Sequence, residues 1–354
     1  MSLVSVIILN WNGVSLLREY LPSVVQYSPK DIAEVIVADN GSTDDSIKVL
    51  QEEFPSVRII ALDKNYGFSQ GYNLAIQEVN TPYCVLLNDD VRVTDHWLEP
   101  MLTYMESNPN TGALQPKLLS DRQQDSFEYA GAAGGYLDMF GYPYCRGRIF
   151  DVVEKDLGQY DSVSNIMWAT GACLMVRTEL YRKAGGLDNH FFAHMEEIDL
   201  CWRIRNMDHD IVCIHESKVY HYGGASLAMG NPRKTKLNFR NSLLMLYKNL
   251  PSEKRNRIIF ARMLLDGVAA LNFLLHGQLQ HVKAIWNAHR EANRMIKDIY
   301  SLTSPSAMTT TSTASTSSSP ERPYFKEESI SILWHYYIKG EKTYSKLSLL
   351  KQKK

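Results

Sequence analysis

Apolar runs and amphipathic segments alternate along the N-terminal part of the chain. Residues 3–9 form a continuous apolar run rich in β-branched side chains, which is typical of a strand buried on both faces. Residues 14–27 carry apolar side chains three and four positions apart, which predicts an amphipathic helix. Because this strand–loop–helix unit recurs in the residues that follow, we expect an α/β fold with a mostly parallel sheet and helices on both faces.

Two of the predicted strands end in acidic side chains. The run "EVIVAD" ends at Asp39, and a polar turn follows in which residues 42–45 offer N-cap candidates for the next helix. The run "YCVLLNDD" ends at Asp89 and Asp90. Open α/β sheets bind ligands at the edge where the carboxyl ends of parallel strands meet. We therefore expect the three carboxylates to lie together at that edge.

The adjacent carboxylates of Asp89 and Asp90 need a physical explanation. Like charges a few ångströms apart repel and raise one another's pKa. A bound divalent metal ion would remove this cost. The alternative is a solvated turn, since Asp and Asn are common turn residues.

The rest of the chain divides by composition. Residues 110–165 are rich in Gly and Tyr with only short strand candidates, so we expect loops that line a pocket. Residues 237–300 have a predominantly helical pattern, and the Ser/Thr-rich residues 301–323 cannot bury enough apolar surface to fold. We predict a main domain over 1–236, a helical extension, a linker, and an aromatic and basic tail over 324–354.

Composition and charge exclude several classes of protein. The formal net charge of −1 over 354 residues gives no support for nucleic-acid binding, which needs a marked excess of Lys and Arg. The five cysteines include no CxxC pair, so neither a zinc knuckle nor a disulfide framework is indicated. No secretory signal is evident, and no uncharged apolar stretch reaches the roughly 20 residues that span a bilayer. We expect a cytoplasmic protein that is not integral to a membrane.

Several ordered motifs together resemble the inverting family 2 glycosyltransferases, which have the GT-A fold. They are "VSVIILNWNG", "VADNGSTDDS", "NYGFSQGYNLAI" and "LLNDDV", followed by "TGACLMVRTELYRKAGGLDNHFFAHMEEIDLCWRIR" and "VYHYGG". Within that family the chain is most similar to the rhamnosyltransferase-like branch, which builds bacterial surface polysaccharides. The resemblance implies a Rossmann-like domain with a nucleotide-binding half over about 1–110 and an acceptor half over about 111–236.

The resemblance assigns roles to the acidic strand ends. Asp39 would accept the N3–H of uracil or thymine, a proton that cytosine lacks, and its alternative role is a helix N-cap. Asp89 would meet the ribose or the metal shell, and Asp90 would bind Mn²⁺ or Mg²⁺, which prefer hard oxygen ligands. The usual DxD begins here with Asn88, which weakens the assignment of Asp89. His221 stands where related enzymes place a third metal ligand, and a purely structural histidine is the alternative.

A second acidic cluster opens the helix predicted within "HMEEIDLCWR". Inversion requires a base on the face of the sugar opposite the leaving group, and a carboxylate suffices. In the family pattern Glu-Asp-x-Asp the second acid is the base, and Glu197 occupies that position. Because Glu adds one methylene of reach, Glu196 and Asp199 remain rivals. The alternative is helix-terminal charge without chemistry.

The resemblance also assigns residues that surround the donor and the acceptor. Trp11 could equally belong to the core. Gly71 and Asn73, like Gly67, are expected to shape the backbone below the diphosphate. The nucleotide-binding set further includes Asn10, Trp11, Asn12, Asn65 and Gly67, and the acceptor side includes Gly171 and Ala172.

These assignments predict the transfer of one sugar from a dTDP- or UDP-sugar, dTDP-rhamnose among them, to a sugar or a polyprenyl-diphosphate-linked glycan acceptor. The alternatives are another hexose such as galactose, glucose or GlcNAc, or an inactive sugar-nucleotide-binding module. A dinucleotide-dependent oxidoreductase would need a GxGxxG turn where this chain has "NWNGVS". A nucleotidyltransferase would carry a Gly-rich basic loop there, and a processive synthase would carry QxxRW and spanning helices.

Residues 256–300 mix long apolar runs with Arg and Lys. This pattern predicts either a helix lying in a membrane interface or a helical lid packed on the catalytic domain. The tail has aromatic and lysine residues that suit an interfacial anchor, and the linker would leave it free to move. We therefore expect peripheral contact with the inner face of the cytoplasmic membrane.

Overall fold

A computed structural model describes residues 2–223, 230–300 and 330–347. The chain divides into two compact units. The sheet unit comprises Met1–Tyr136, Pro143–Ser226 and His335–Lys354, and the helical unit comprises Leu137–Tyr142 and Leu227–Trp334. The predicted linker 301–323 lies outside the described residues, as do residues 324–329 and 348–354 of the predicted tail.

Most strands of the chain join one large sheet. In chain order the strands are β1 (Val4–Asn10), β2 (Ala33–Asp39), β3 (Arg58–Ala61), β4 (Tyr83–Asn88), β5 (Val91–Val93), β6 (Thr111–Ser120), β7 (Gly135–Leu137), β8 (Pro143–Cys145), β9 (Arg148–Ile149), β10 (Val152–Val153), β11 (Ser164–Ile166), β12 (Cys173–Arg177) and β13 (Asp210–His221). The large sheet has the order β11-β13-β6-β12-β4-β1-β2-β3, and β5 pairs with β13. The four short strands from β7 to β10 form a second sheet.

The prediction of a mostly parallel sheet is confirmed. β1 runs parallel to β2 and β4, β2 parallel to β3, and β6 parallel to β13. β12 lies antiparallel between β4 and β6. The register pairs Asn10 with Asp39 and Leu9 with Asn88. The polar ends of β1, β2 and β4 therefore lie level with one another at one edge.

Helices cover this sheet as the apolar spacing predicts. The sheet unit contains α1 (Val14–Tyr27), α2 (Ser46–Glu53), α3 (Gly67–Gln77), α4 (Glu99–Ser107), α5 (Thr178–Lys183) and α6 (Glu196–Arg205). In α1 the residues Leu17, Leu21 and Val24 are buried in the same core as Val85 and Leu87 of β4. Burial of the β4 residues from both sides explains why that strand is a continuous apolar run.

The predicted pocket loops of residues 110–165 contain a long buried strand that the sequence pattern does not reveal. In β6 a run of Gln115, Pro116 and Lys117 interrupts the apolar pattern. Lys117 is 1% exposed and its Nζ lies 2.8 Å from Asp156 Oδ2. Pro116 stands beside a register shift between β6 and β13, which accommodates a residue without a backbone N–H.

The helical unit begins earlier than predicted. It contains α7 (Pro232–Asn249), α8 (Ser252–Leu275) and α9 (Leu279–Met295). The side chain of Asn231 accepts a hydrogen bond from the backbone N–H of Arg233, and Pro232 follows this N-cap, so the start of α7 is fixed by ordinary capping chemistry. By length and composition α8 could cross a membrane, which the sequence analysis did not anticipate.

The described part of the predicted tail is packed, so the expectation that it moves freely is wrong there. The backbone N–H of Ile332 donates to Asp138 Oδ2 within the helical unit. In the sheet unit the ring of Tyr344 stacks 5.8 Å from that of Tyr136. Glu154 accepts hydrogen bonds from the backbone N–H of Tyr344 and from Ser345 Oγ. Residues 335–347 thus belong to the fold of the sheet unit.

Candidate active site

Asp39 is fixed at the end of β2 by two hydrogen bonds. Its Oδ1 accepts from Asn10 Nδ2 at 2.9 Å and its Oδ2 from the backbone N–H of Ser42 at 2.9 Å. The residue is 2% exposed. The N-cap position of α2 is Asp45, so Asp39 does not cap that helix. Each carboxylate oxygen can still accept another hydrogen bond.

The loop after β1 is held against the loop after β2. Asn12 has a left-handed backbone with φ of 51°, and its Oδ1 accepts from the backbone N–H of Thr43 at 2.7 Å. Its own N–H donates to Ser42 Oγ at 2.9 Å. Trp11 beside it is 54% exposed. The core role considered for Trp11 is therefore excluded, and its ring is available at the mouth of the site.

A buried asparagine that the sequence analysis missed organises the next loop. Asn40 is 2% exposed, accepts from the backbone N–H of Tyr66 at 2.9 Å and donates to Asn65 Oδ1 at 3.2 Å. Asn65 Oδ1 also accepts from the N–H of Gly67 at 2.8 Å. Gly67 has a φ of 76°, which disfavours a side chain. These contacts set the start of α3. Within the helix, Asn73 Oδ1 accepts from the N–H of Leu187 at 3.0 Å, which ties α3 to the loop before α6.

The carboxylate of Asp89 points to the loop after β1. A Cβ atom at Gly13 would lie 2.9 Å from Asp89 Oδ2 and 2.5 Å from Asn10 Oδ1, so only glycine leaves room for both side chains. Burial, assisted by the neighbouring charge of Asp90, raises the pKa of Asp89 to about 7. The repulsion expected between the adjacent acids thus contributes to the raised pKa of Asp89.

Asp90 is paired with His221. The imidazole Nε2 lies 3.0 Å from Asp90 Oδ1, and Gly223 donates its N–H to Asp90 Oδ2 at 3.2 Å. Burial alone would raise the pKa of Asp90, but the hydrogen bond and charge of His221 outweigh it and lower that pKa. Burial likewise opposes a charged His221, yet the charge of Glu128 and the hydrogen bond to Asp90 raise its pKa to about 10.

Glu128 is the second residue that the sequence analysis missed. It is 6% exposed, and its Oε1 lies 3.3 Å from His221 Nδ1. Its Oε2 accepts from the backbone N–H of Ala130 at 2.5 Å. The available signal was an isolated acid in the Gly/Ala-rich stretch "SFEYAGAAGG". His221 therefore stands between two carboxylates, with one on each ring nitrogen.

Asp90 and His221 offer two donor atoms for a divalent metal ion, although within the described ranges no group of three or more His, Cys, Asp or Glu side chains is placed to hold one. Two donor atoms about 2.1 Å from an ion and at right angles to each other are about 3.0 Å apart. Asp90 Oδ1 and His221 Nε2 have this separation of 3.0 Å. A carboxylate on the second ring nitrogen of a ligating histidine, as Glu128 provides, is the usual outer partner of such a ligand.

Glu196 is buried at the start of α6 and Glu197 beside it is half-buried, with little to compensate the charge of either. The preceding residue, Met195, has a left-handed backbone with φ of 74°. Burial raises the pKa of Glu196 well above its usual value and that of Glu197 to about 7, although a helix N-terminus favours negative charge. Within the described ranges, Oε2 of each glutamate is buried without a hydrogen-bond partner. Both oxygens can accept a hydrogen bond from a ligand.

Asp199 has a different environment from its neighbours. It is fully buried, and Arg203 Nη2 lies 2.8 Å from its Oδ2. Arg203 also donates to the carbonyl of Gly186 at 2.7 Å. Asp199 thus pairs with an arginine that ties α6 to the preceding loop, which suits a structural role for Asp199 better than proton transfer.

Gly171 and Ala172 connect the two acidic clusters. The carbonyl of Ala172 accepts a hydrogen bond from the N–H of Asn88 at 3.0 Å. A Cβ at Gly171 would lie 3.7 Å from the Cβ of Glu197 and 3.4 Å from the ring of Phe68. This side of the sheet therefore carries the fixed carboxylate of Asp39, the Asp90–His221 pair and the half-buried Glu197 with its raised pKa.

This arrangement of sheet and acidic edge defines the GT-A class of glycosyltransferases. The solved structure of GalNAc-T7 with UDP, GalNAc and Mn²⁺ superposes with a TM-score of 0.55 at 15% identity, covering 70% of this chain and 48% of that chain. The model of glycosyl transferase family 2 matches residues 5–182. The chain belongs to this family of enzymes.

Curated relatives share the same region at low identity. The O-antigen biosynthesis protein RfbC of Myxococcus xanthus is 25% identical over 226 residues, which cover 63% of this chain and 17% of that protein. The N-acetylglucosaminyl-diphospho-decaprenol L-rhamnosyltransferase of Mycobacterium tuberculosis is 24% identical over 224 residues, covering 58% of this chain and 71% of the relative. The chain therefore spans only a small part of the first of these relatives.

Proposed function

We propose that this protein is an inverting glycosyltransferase that moves one sugar from a dTDP- or UDP-sugar to a glycan acceptor in the synthesis of a cell-surface polysaccharide. The observation that carries the proposal is that Asp39 and the Asp90–His221 pair lie at one sheet edge, with the half-buried Glu197 beside Gly171 just before β12. A binding module would need the first two of these but not an uncompensated carboxylate with a raised pKa.

The donor is held through its base and its diphosphate. Asp39 accepts the N3–H of uracil or thymine, and the exposed ring of Trp11 borders the nucleotide. The name of the mycobacterial relative, an L-rhamnosyltransferase, supports dTDP-rhamnose as the first donor to test. The UDP present in the GalNAc-T7 structure supports a uridine nucleotide as the second.

Asp90 and His221 hold a divalent ion, Mn²⁺ or Mg²⁺, and the Mn²⁺ in the GalNAc-T7 structure supports this choice. When bound, the ion supplies charge that neutralises the departing diphosphate. Asp89 lies beside this pair, toward the ribose. Asp90→Asn should lose donor binding and turnover together, as should chelation of the ion with EDTA, and full activity in EDTA would contradict the assignment.

Glu197 acts as the base toward the acceptor hydroxyl. A carboxylate whose pKa lies near 7 is partly deprotonated at neutral pH and still basic enough to take a proton in the transition state. Glu196 remains the rival by sequence register, and Asp199 is the weaker candidate because Arg203 already pairs with it. Gly171 lies beside Glu197, and together with Ala172 it is assigned to the acceptor side.

The acceptor is a sugar carried on a polyprenyl diphosphate. The name of the mycobacterial relative describes such an acceptor, a diphospho-decaprenol-linked N-acetylglucosamine. An enzyme that uses it works in the cytoplasm against the inner face of the membrane, where the lipid holds the diphosphate head group. Peripheral membrane contact is therefore part of this proposal.

The test is a panel of nucleotide sugars with a synthetic polyprenyl-diphosphate-GlcNAc acceptor and Mn²⁺ or Mg²⁺. The expected result is acceptor-dependent release of nucleoside diphosphate with one donor, and a product of inverted anomeric configuration by NMR. Donor binding by calorimetry without turnover of any donor would favour the inactive sugar-nucleotide-binding module. Turnover with UDP-galactose, UDP-glucose or UDP-GlcNAc would replace rhamnose as the transferred sugar.

A further inference from the structure

Helix α8 buries two charged residues and exposes much of its apolar surface. Arg262 and Asp266 are its buried residues, and Arg262 Nε donates to Asp266 Oδ1 at 2.9 Å. His289 of α9 lies 3.0 Å from the other oxygen of Asp266. Arg262 also donates to the carbonyl of Gly141 at 3.2 Å, and its guanidinium lies 3.7 Å from the ring centre of Tyr142. All of these contacts lie within the helical unit.

The opposite face of α8 is an exposed apolar stripe. Its members recur every three or four positions, which places them on one side of the helix, and each is more than half exposed: Phe260, Leu264, Val268, Leu271 and Leu275. A helix that faces water on one side normally carries polar residues there. This stripe is therefore adapted to a surface other than water.

The exposed charge of α8, α9 and the residues up to 299 is mostly basic. Among the described residues 252–299, exposed acids are limited to Glu253 and Asp298. The exposed cations in the same range are Lys254, Arg257, Lys283, Arg290, Arg294 and Lys297. This excess contrasts with the net charge of −1 for the whole chain. A second copy of the chain would bring like charges together, whereas an anionic lipid surface would attract them.

We infer that α8 and α9 dock this protein on an anionic lipid bilayer, with α8 lying in the interface and its apolar stripe buried among the acyl chains. A spanning orientation would require Arg262 and Asp266 to leave the Gly141 and Tyr142 contacts that bind them and enter hydrocarbon. The reason for membrane docking rests on the proposed function, in which the acceptor is lipid-linked. The orientation of α8 in the interface rests on the stripe alone.

The first experiment is flotation of the full-length protein with vesicles of phosphatidylcholine alone or with phosphatidylglycerol. The wild type should float with the anionic vesicles, less at high salt and less with phosphatidylcholine alone. Leu271→Glu/Leu275→Glu should reduce the bound fraction at least about tenfold, because two apolar side chains leave the bilayer. Leu157→Glu is the matched control, since Leu157 is an 82% exposed leucine of the sheet unit, and it should float like the wild type.

A second measurement keeps the inference testable if a charged variant misfolds. The native cysteines are all buried, so a cysteine at Leu271 can be labelled selectively with an environment-sensitive dye. Emission from this site should shift to the blue on addition of anionic vesicles, and emission from Leu157→Cys should not. Shifts at both positions or at neither would overturn the inference.

Four outcomes separate this inference from its rivals and from the proposed function. Undiminished flotation of Leu271→Glu/Leu275→Glu would show that the stripe does not bind lipid. A lipid-free dimer that the same substitution dissociates would assign the stripe to self-association. Wild-type protein that resists extraction at alkaline pH would indicate a spanning helix. Turnover of a short-chain soluble acceptor without vesicle binding would overturn the docking and leave the transfer activity standing.

Discussion

At the residue scale, the carboxylates of the site differ in what balances their charge. Asp90 is balanced by His221, and Asp199 by Arg203. Desolvation raises the pKa of Glu197 to about 7. Within the described residues, its Oε2 is buried without a hydrogen-bond partner. A buried acid without compensation costs stability, and such sites are where enzymes place their proton-transfer groups.

Glu197→Gln is expected to separate binding from chemistry. Donor affinity measured by calorimetry should be preserved, because the side chain keeps its size, while kcat should fall by roughly 10² or more when the base is lost. Glu196→Gln is the matched comparison one residue away. If Glu196→Gln proves far more damaging, the sequence register of the base is wrong by one.

The raised pKa of Glu197 also sets the direction of two pH effects. As a base it must be deprotonated, so kcat/KM of the wild type should fall about tenfold per pH unit below pH 7. Between the usual 4.5 and about 7, the folded protein holds a proton that the unfolded chain releases. Stability from this group therefore decreases as pH rises through that window.

A stability measurement checks the second effect independently of activity. At pH 8 the Glu197→Gln protein should be more stable than the wild type, by up to about 3 kcal/mol for a shift of this size. At pH 4 the difference should vanish, because the wild-type side chain is then neutral in both states. Urea unfolding at the two pH values gives both numbers, and equal differences at both would contradict the assignment.

Glu128 is expected to act through His221 without touching the substrate. Its carboxylate lies 3.3 Å from Nδ1, which orients the ring so that Nε2 faces Asp90. Removing such an outer partner typically weakens metal binding 10–100-fold, so Glu128→Met should weaken Mn²⁺ binding by about that factor in titrations followed by electron paramagnetic resonance. Glu128→Gln retains an acceptor for Nδ1–H and should lose less. Glu179→Gln, on an exposed acid, is the control.

At the element scale, the sequence pattern predicted those strands and helices whose burial depends on their own apolar spacing. β1, α1, β2 and β4 follow directly from their apolar spacing, and the motifs placed Asp39 and Asp90 at the correct edge because strand ends define it. β6 was missed because Lys117 is buried through partners about forty residues away in the sequence. Glu128 was missed for the same reason, since His221 reaches it only in the folded sheet unit.

The position of α6 depends on Arg203, which pairs with the buried Asp199 of the same helix and donates to the carbonyl of Gly186. Arg203→Met should destabilise the protein by about 3–5 kcal/mol, because it removes the cation that pairs with the buried carboxylate of Asp199. Urea denaturation provides the measurement. Arg18→Met removes an exposed ion pair with Glu53 and should cost less than about 1 kcal/mol. Similar losses of unfolding free energy in Arg203→Met and Arg18→Met would show that the pairing of Arg203 does not anchor α6.

At the scale of the whole molecule, the last described residues complete the sheet unit. Tyr344 stacks on the rings of Tyr136 and Tyr144 and meets Tyr160 edge-on. The sequence suggested a membrane anchor because the segment is rich in aromatic and lysine residues. A packed segment and a membrane tail can share this composition. Only contact with the small sheet, through Tyr136 and Tyr144, distinguishes a packed segment from a membrane tail. The strands of this sheet are too short to be predicted from the spacing of apolar residues.

Tyr344→Ala is therefore expected to destabilise the protein by about 1–3 kcal/mol through lost ring contacts and burial. Thermal unfolding followed by circular dichroism measures the loss. Tyr337→Ala removes a ring that is 67% exposed and should change stability by less than about 1 kcal/mol. Equal stability of the two variants would mean that the segment rests on the sheet unit without supporting it.

The course of the chain between its two units has a consequence for synthesis and for engineering. The boundaries fall after Tyr136, Tyr142, Ser226 and Trp334, so the sheet unit is assembled from three separate stretches and receives its last one only after the helical unit has been translated. A nascent chain cannot finish this unit before the helices have been synthesised. For the same reason, no contiguous fragment that omits the helical unit carries a complete sheet unit, and exchanging the helical unit between relatives requires four splice sites, one at each end of its short and long segments.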